Sequence, residues 1–441
     1  MNERRESWLI LSHAFNMDGR AASHTITDKI PHLIAQGIEP IVLSAVTGRR
    51  DEVVEHHQLL PVSPAGLRFD TRYILRRHIS SKPVYNLVVG LMTLLMLPFY
   101  VLEKILIRLE PQWSWFIPAY FAGARIIRSR KPAVIYSTGG ANSAHLAGYL
   151  LARRYSLPWV AEVHDPMIFE SYERSWMAYR FAAWLEGKIC RYADVPFWFV
   201  ETALARARER HPEMGDRGRV LIPGADRPAF GKVAYIREDQ MVVGHFGSLS
   251  VTRNLENFLA AIGQLIERDP EARDAVRIEI YGSGADSVSA AAIARFPAPE
   301  MIRQLGRLEY DPLTGESGRE RVLKRMNTVD CLLLLHGTEV FCEEYIPSKF
   351  YEYLWTQRPI LGLVWRNQHL ERLLRDNGHM AVAADDVEGI CNALSELLDS
   401  WRVSGLDDSG RESDYTAEAA TKQLVEWAHE AEQRHARGEY P

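Results

Sequence analysis

Two α/β units in tandem, each a parallel sheet with helices on both faces, are what this sequence predicts. Three observations lead there. At 441 residues the chain is too long for one ordinary core and suits two domains of about 200 residues each. Short apolar runs alternate with amphipathic stretches, and the alternation starts afresh half-way along the chain. Between the two halves lies GKVAYIREDQ, where glycine and charge thicken as they do in interdomain linkers.

The first half opens with a short strand at Trp8–Leu11, a polar loop SHAFNMDGRAAS containing Gly19, a helix in TDKIPHLIAQG and a strand in PIVLSA. That is a βαβ unit, with Gly37 where a helix C-cap glycine belongs. Strand AVIYST, a helix in GGANSAHLAGYLLARRY, strand PWVAEV, the amphipathic helix SWMAYRFAAWLEGKICRYA and strand VPFWFV continue it, and LIPGADRPAF closes a domain over 1–228. The second domain, 240–405, runs through MVVGHFGSL, LENFLAAIGQLIERDP, VRIEIYGSG, DCLLLLHG, IPSKFYEYLWTQ and PILGLVW. A last helix in 406–441 has no strand after it and can return to the first domain.

Composition narrows the function classes. Hydrophobic residues make up 47% and charged residues 25%, as in ordinary folded proteins. The formal net charge of -5 gives no basis for nucleic-acid binding. Four scattered cysteines form no CxxC pair and no zinc or haem spacing, which fits reduced, buried thiols in a cytoplasmic protein. The apolar run near the N-terminus is too short for a secretory signal.

One stretch departs from the pattern. Val84 to Leu102 carries no charge and is just long enough to span a bilayer. The elements before and after it read as parts of one domain, and a single crossing would put them on opposite sides of the membrane. The segment, within an insertion at about 82–115, is therefore expected to lie on or dip into the membrane without spanning it; the alternative is a pair of buried core helices. Arg72, Arg76, Arg77 and Lys82 would meet anionic headgroups, and Trp113 and Trp115 would anchor at headgroup depth.

The residues that point to chemistry lie in the second half. In EEYIPSKFYEYL, Glu344 and Glu352 are separated by seven residues, Pro347 and Ser348 read as a helix start, and Lys349 shares a helix face with Glu352. A lysine beside a helix N-terminus makes a place for phosphate, and a carboxylate one turn on can accept both hydroxyls of a ribose. In GHFGSLSVTRNLENFL a strand runs into Gly247, and Arg253 follows six residues later. A glycine at the carboxyl end of such a strand lets backbone approach a phosphate, to which arginine adds bidentate contacts.

GHFGSLSVTRNLE, IYGSG and EEYIPSKFYEYLWTQRPILGL together resemble the donor half of GT-B glycosyltransferases, specifically glycosyltransferase family 4. LIPGADRPAF is similar to that family's "PNGVD" entry to the donor domain. The stretch from WFIPAYF to VAEVHDP resembles the acceptor half of its bacterial polysaccharide and O-antigen members. The resemblance implies the GT-B fold, two Rossmann-like domains facing across a cleft. It also implies a retaining glycosyltransferase of hexosyltransferase type, serving cell-surface polysaccharide biosynthesis from the inner face of the cell membrane. A nucleotide-diphosphate sugar would be the donor substrate and a lipid-linked glycan the acceptor, with no cofactor and no metal. By position, Glu352 matches the glutamate that binds the nucleotide ribose, and Glu344 the one near the donor sugar. Lys349 and Arg253 match basic residues at the diphosphate, beside Gly247 and Ser248. Gly19 matches the loop facing the cleft, and His164, followed by Asp165, an active-site histidine after a strand. Departures are Ser248 where many members have arginine, a single glycine in the N-terminal loop, and HDPM in place of "RDPW". The alternatives are a nucleotide-sugar epimerase on the same fold and a catalytically inactive nucleotide-sugar-binding subunit of a polysaccharide-assembly complex.

Overall fold

The computed structural model describes residues 6–17, 20–139, 141–169, 175–230, 233–311, 313–406 and 413–441. They form two units, 1–223 with 417–441, and 224–416.

In the first unit, seven strands make one parallel sheet among the described residues: β1 (Glu6–Leu11), β2 (Ile38–Ala45), β3 (Glu55–Leu59), β4 (Val134–Thr138), β5 (Trp159–Val163), β6 (Val195–Trp198) and β7 (Arg219–Val220), in the order β3-β2-β1-β4-β5-β6-β7. The central strands are apolar because helices cover both faces, and every residue of β4 and β5 is buried. Strand order reverses between β1 and β4, so the carboxyl ends of those strands and of β5 beside them are where an open α/β sheet takes its ligand.

Two helices stand out. α1 (Pro64–His78) is capped by the Ser63 hydroxyl, which accepts from the Gly66 N–H at 3.2 Å. It pairs with α2 (Lys82–Leu106), the 25-residue apolar helix. Of α2 only Glu103 is buried; its carboxylate takes the Ala65 N–H at 2.7 Å and the Trp113 indole N–H at 2.6 Å, pinning the hairpin at its base. Leu87, Leu91, Leu94, Leu95, Phe99 and Leu102 recur at helical spacing and are all more than half exposed. By length and composition α2 is able to cross a membrane. β1, whose residues pair with β2 before the hairpin and with β4 after it, ties both flanks into one sheet.

The expected tryptophan anchors are corrected. Trp115 is fully buried, edge-on to His13, because it leads into the helix Phe116–Arg130 that packs on the sheet. Trp113 is held by Glu103. Among the described residues the exposed tryptophans are instead Trp176 and Trp184 on α3 (Trp176–Tyr192), whose start is tied to the end of the apolar hairpin by the Ser175 hydroxyl donating to the Arg108 carbonyl at 2.6 Å.

The second unit holds β8 (Met241–Phe246), β9 (Val276–Tyr281), β10 (Ile302–Gly306), β11 (Cys331–Leu335), β12 (Ile360–Val364) and β13 (Met380–Ala383), parallel in the order β10-β9-β8-β11-β12-β13. Its switch point lies between β8 and β11. The chain joins this unit at Gly224, before the composition shift at 231–240. The reason is packing: the Ala225 carbonyl accepts the Trp355 indole N–H at 2.6 Å, and the Arg358 guanidinium lies 3.6 Å from the centre of the Tyr235 ring.

The last helix, α6 of the elements used below (Ala417–Ala436), belongs to the first unit. Leu424, Val425, Ala428 and Ala431 join the core built by Trp8, Ile10 and Phe197. His435 pairs with Asp194 at 2.8 Å. The two further helices needed for the site are α4 (Gly318–Thr328) and α5 (Lys349–Leu354).

Candidate active site

On the second unit the loops after β8 and β11 meet. The Thr338 N–H donates to the Thr252 carbonyl at 2.9 Å, so the segment carrying Arg253 and the segment leading to Glu344 are clipped together. Gly247 ends the strand with its N–H on the Tyr281 carbonyl at 2.9 Å. The neighbouring Gly282 has φ +135°, and a Cβ there would fall 2.0 Å from the Gly247 oxygen, so two backbones touch where a phosphate is expected. Ser248 is exposed, and its carbonyl accepts from Arg253 Nε at 3.1 Å. Ser250 and Arg253 exchange backbone hydrogen bonds of 2.9 and 3.0 Å, and the Ser250 hydroxyl also accepts the Arg253 N–H at 3.1 Å. The loop thus holds the arginine at a fixed place. Its positive charge acts on His245 of β8, on His336 after β11 and on the Cys342–Tyr345 turn, which locates it between the two strand ends.

Glu344 is buried at the close of the short 3-10 turn Val340–Glu344. Asn367 secures that turn: its amide donates to the Cys342 and Tyr345 carbonyls at 3.1 and 2.8 Å, while its oxygen caps the next helix through the Leu370 N–H at 2.9 Å. The helix expected over IPSKFYEYLWTQ is shorter than its pattern. α5 has six residues, Ser348 stands at its N-cap position without a side-chain capping bond, and Gln357 at φ +58° ahead of Pro359 ends the turn. A helix this short adds little dipole, so the positive field rests on the side chains. Lys349 Nζ lies 2.7 Å from Glu352 Oε2, and Arg319 of α4 lies 3.6 Å from Glu352 Oε1. Gly247, Arg253, Lys349, Glu344 and Glu352 therefore all sit on the loops and the short helix at the carboxyl ends of β8 and β11.

On the first unit His164 follows β5 and stacks on Phe199 with ring centres 4.9 Å apart. A Cβ at Gly139 would come within 2.6 Å of its ring, so only glycine fits at the end of β4 there. His164 Nε2 lies 2.7 Å from Glu162 Oε1 and 3.0 Å from the Thr138 hydroxyl. The buried Glu162 carboxylate also takes the Lys29 ammonium at 2.9 Å and the Tyr136 hydroxyl. Burial alone would raise its pKa; Lys29, with His164 and Tyr136, outweighs that and holds it down at about 2. An ionised acceptor at Nε2 requires that nitrogen to carry a proton, so Nε2 donates to Glu162. Asp165, the next residue, is exposed. Gly19 lies outside the described residues.

Sequence reasoning missed Lys29 and Glu162. Lys29 sits in a stretch that reads as a solvated helix, TDKIPHL, yet is wholly buried. The signal for Glu162 was present: a charge inside the apolar strand WVAEV. Among the described residues, the side chains grouped as metal ligands are, Glu6, His429 and Glu432, lie at the start of β1, away from the strands' carboxyl ends.

No protein-family model matches the chain, and no curated protein matches it either. Solved structures share its fold. Sucrose-phosphate synthase from Thermosynechococcus elongatus is similar with a TM-score of 0.62 at 12% identity, over 98% of this chain and 99% of that one. The UDP-forming α,α-trehalose-phosphate synthase from Burkholderia vietnamiensis gives 0.55 at 11%, over 99% and 98%. WaaG, a glycosyltransferase involved in lipopolysaccharide biosynthesis, gives 0.52 at 13%, over 98% and 95%. At these identities the likeness concerns the fold, and the fold is GT-B: two Rossmann-like domains, each with a parallel sheet.

Proposed function

We propose that the protein is a retaining glycosyltransferase that moves a sugar from a nucleotide-diphosphate donor to a lipid-linked glycan acceptor at the cytoplasmic face of the membrane. The observation that carries the donor half is the set of Gly247, Arg253, Lys349 and Glu352 at the switch point of the second sheet. Breaking the sugar–phosphate bond leaves negative charge on the departing diphosphate. Arg253 and Lys349 would stabilise that charge where it develops, and Gly247 would let backbone N–H groups approach it. Glu352, a carboxylate beside that site, would accept from the ribose hydroxyls. His164 would hydrogen-bond a sugar hydroxyl of the acceptor. The epimerase alternative calls for a carboxyl group that trades protons; Glu162, held ionised by Lys29, is suited to orienting His164 instead.

Thermal melting with UDP-, GDP- and dTDP-sugars tests the donor half, since a ligand that binds the folded state raises the melting temperature. If none of them shifts it, the donor reading fails. Glu352→Ala should weaken binding of the stabilising nucleotide by about 1.5–3 kcal/mol, the loss of a charged hydrogen bond. Titration calorimetry giving wild-type affinity would remove Glu352 from the ribose.

The lipid-linked acceptor and the membrane location rest on the α1–α2 hairpin. Its apolar stripe has no protein cover, and one continuous sheet on both flanks disfavours a single crossing. Arg68, Arg72 and Arg76 line the companion helix, with Arg68 over the Tyr100 ring and Arg76 over the Tyr85 ring. Each basic side chain near anionic lipid contributes about 1 kcal/mol. Trp176 and Trp184 suit headgroup depth. The wild-type protein should sediment with membranes and be released by detergent. Leu91→Glu with Leu95→Glu should move it to the soluble fraction. A wild-type protein with no affinity for anionic liposomes would end both the membrane and the lipid-acceptor reading.

A further inference from the structure

The donor-side loops enclose one group that the transfer scheme leaves unused. His245 sits in β8, two residues before Gly247, and is 5% exposed. Its Nδ1 lies 3.2 Å from the Leu333 carbonyl oxygen of β11. A carbonyl only accepts, which assigns the proton to Nδ1 and a lone pair to Nε2. Nε2 has no hydrogen-bond partner. It is aimed at Gly247, where a Cβ would lie 3.6 Å away, so the absent side chain leaves the ring open to the loop. A buried polar atom without a partner calls for an explanation, and this one lies under the place where a phosphate is expected.

Besides the Leu333 carbonyl of β11, the groups facing the ring come from two elements. Arg253 comes from its own loop. Lys349 comes from α5 with its ammonium on Glu352, and the hydroxyl of Tyr353, also from α5, lies 3.5 Å from the same Leu333 carbonyl. Burial, opposed by that carbonyl and helped by Arg253 and Lys349, lowers the His245 pKa to about 4, so the ring is neutral when the site is empty. An anion bound between the two cations reverses the balance. One negative charge about 4 Å away, at the effective dielectric of a protein surface, favours the protonated form by roughly a thousandfold.

We infer that His245 is a ligand-linked acid of the donor site: it takes a proton from solvent at Nε2 when a nucleoside diphosphate settles against Arg253 and Lys349, and donates that Nε2–H to a phosphate oxygen. The inference rests on the diphosphate binding at this place. The imidazole makes and breaks no bond to carbon. Its proton arrives as the diphosphate binds and returns to solvent when the diphosphate leaves. During transfer it adds a third positive group to the leaving oxygens, which an empty, uncharged site does not have to keep buried.

Calorimetry of UDP, GDP and dTDP binding, repeated in buffers of different ionisation enthalpy, counts the protons taken up. Near pH 6 the wild-type protein should take up most of one proton more per bound diphosphate than His245→Gln, whose amide can still donate to Leu333. The matching nucleosides, lacking phosphate, should show no difference between the two proteins. Equal uptake by both proteins with diphosphate overturns the inference. A second readout needs no variant: in wild-type protein with 15N-labelled histidine, saturation with the bound diphosphate should move the His245 Nε2 signal to that of an imidazolium. A ring that stays neutral overturns the inference, whereas failure of all three diphosphates to bind overturns the donor reading beneath it.

Discussion

Glu162→Gln is expected to lower the stability of the protein by about 3–5 kcal/mol, because it leaves the Lys29 ammonium buried without its counter-charge. In a unit of this size that is a fall in melting temperature on the order of 10 °C. The pair need not be net stabilising for this to hold. Removing both charges with Lys29→Met and Glu162→Gln together should recover much of the loss, and the double-mutant cycle reads the coupling. The pH dependence follows from the depressed pKa of the carboxyl group. Its folded value of about 2 lies below the ordinary 4.5, so its contribution is fully present above pH 4.5 and disappears as the pH falls towards 2. Acid denaturation of Glu162→Gln should therefore lack one protonation step that the wild type shows in that window. A variant that melts with the wild type at neutral pH would mean that Lys29 finds another partner or water.

Arg253→Ala is expected to lower kcat by about a hundred- to a thousandfold, the scale on which loss of one preorganised donor to developing charge is felt. Donor KM should change much less, since the charge on the diphosphate is greatest as the bond breaks. Arg253→Lys keeps the charge but gives up the Nε contact to the Ser248 carbonyl, and should fall between the two. Steady-state kinetics with the donor found by thermal melting measures both constants. Full kcat in the alanine variant would remove Arg253 from the leaving group.

The architecture was legible in the sequence where strands are buried on both faces. The runs behind β1, β2, β4, β5, β8, β9, β11 and β12 are apolar, and helical stretches follow them. β3, β7, β10 and β13 were not read, and all four lie at sheet edges. In EHHQL only His56 is buried, IRQLG is largely exposed, and MAVA has no fully buried residue, so none gives the apolar signal of a central strand. The proposed donor site could be put forward from the sequence because its residues are close together in it: Gly247 with Arg253, and Glu344 with Glu352. The Lys29–Glu162–His164 group was legible only in its last member. Lys29 and Glu162 are 133 residues apart, and their pairing is created by the fold. Length and lack of charge marked α2 as unusual, but only the structure separates an exposed stripe from a buried core helix.

The return of α6 to the first unit bears on how the chain is made. A ribosome delivers residues 1–223 well before the segment that completes their core. The second unit, one uninterrupted stretch, can close while the first still presents the Trp8, Ile10 and Phe197 face without Leu424 and Val425. At roughly 5–20 residues per second the delay is tens of seconds at the slower rates. The half of the molecule synthesised first is thus the last to be finished, and in that interval its Trp8, Ile10 and Phe197 face stays uncovered. A nascent chain of this design has to keep that apolar face from sticking elsewhere until its own end has been made.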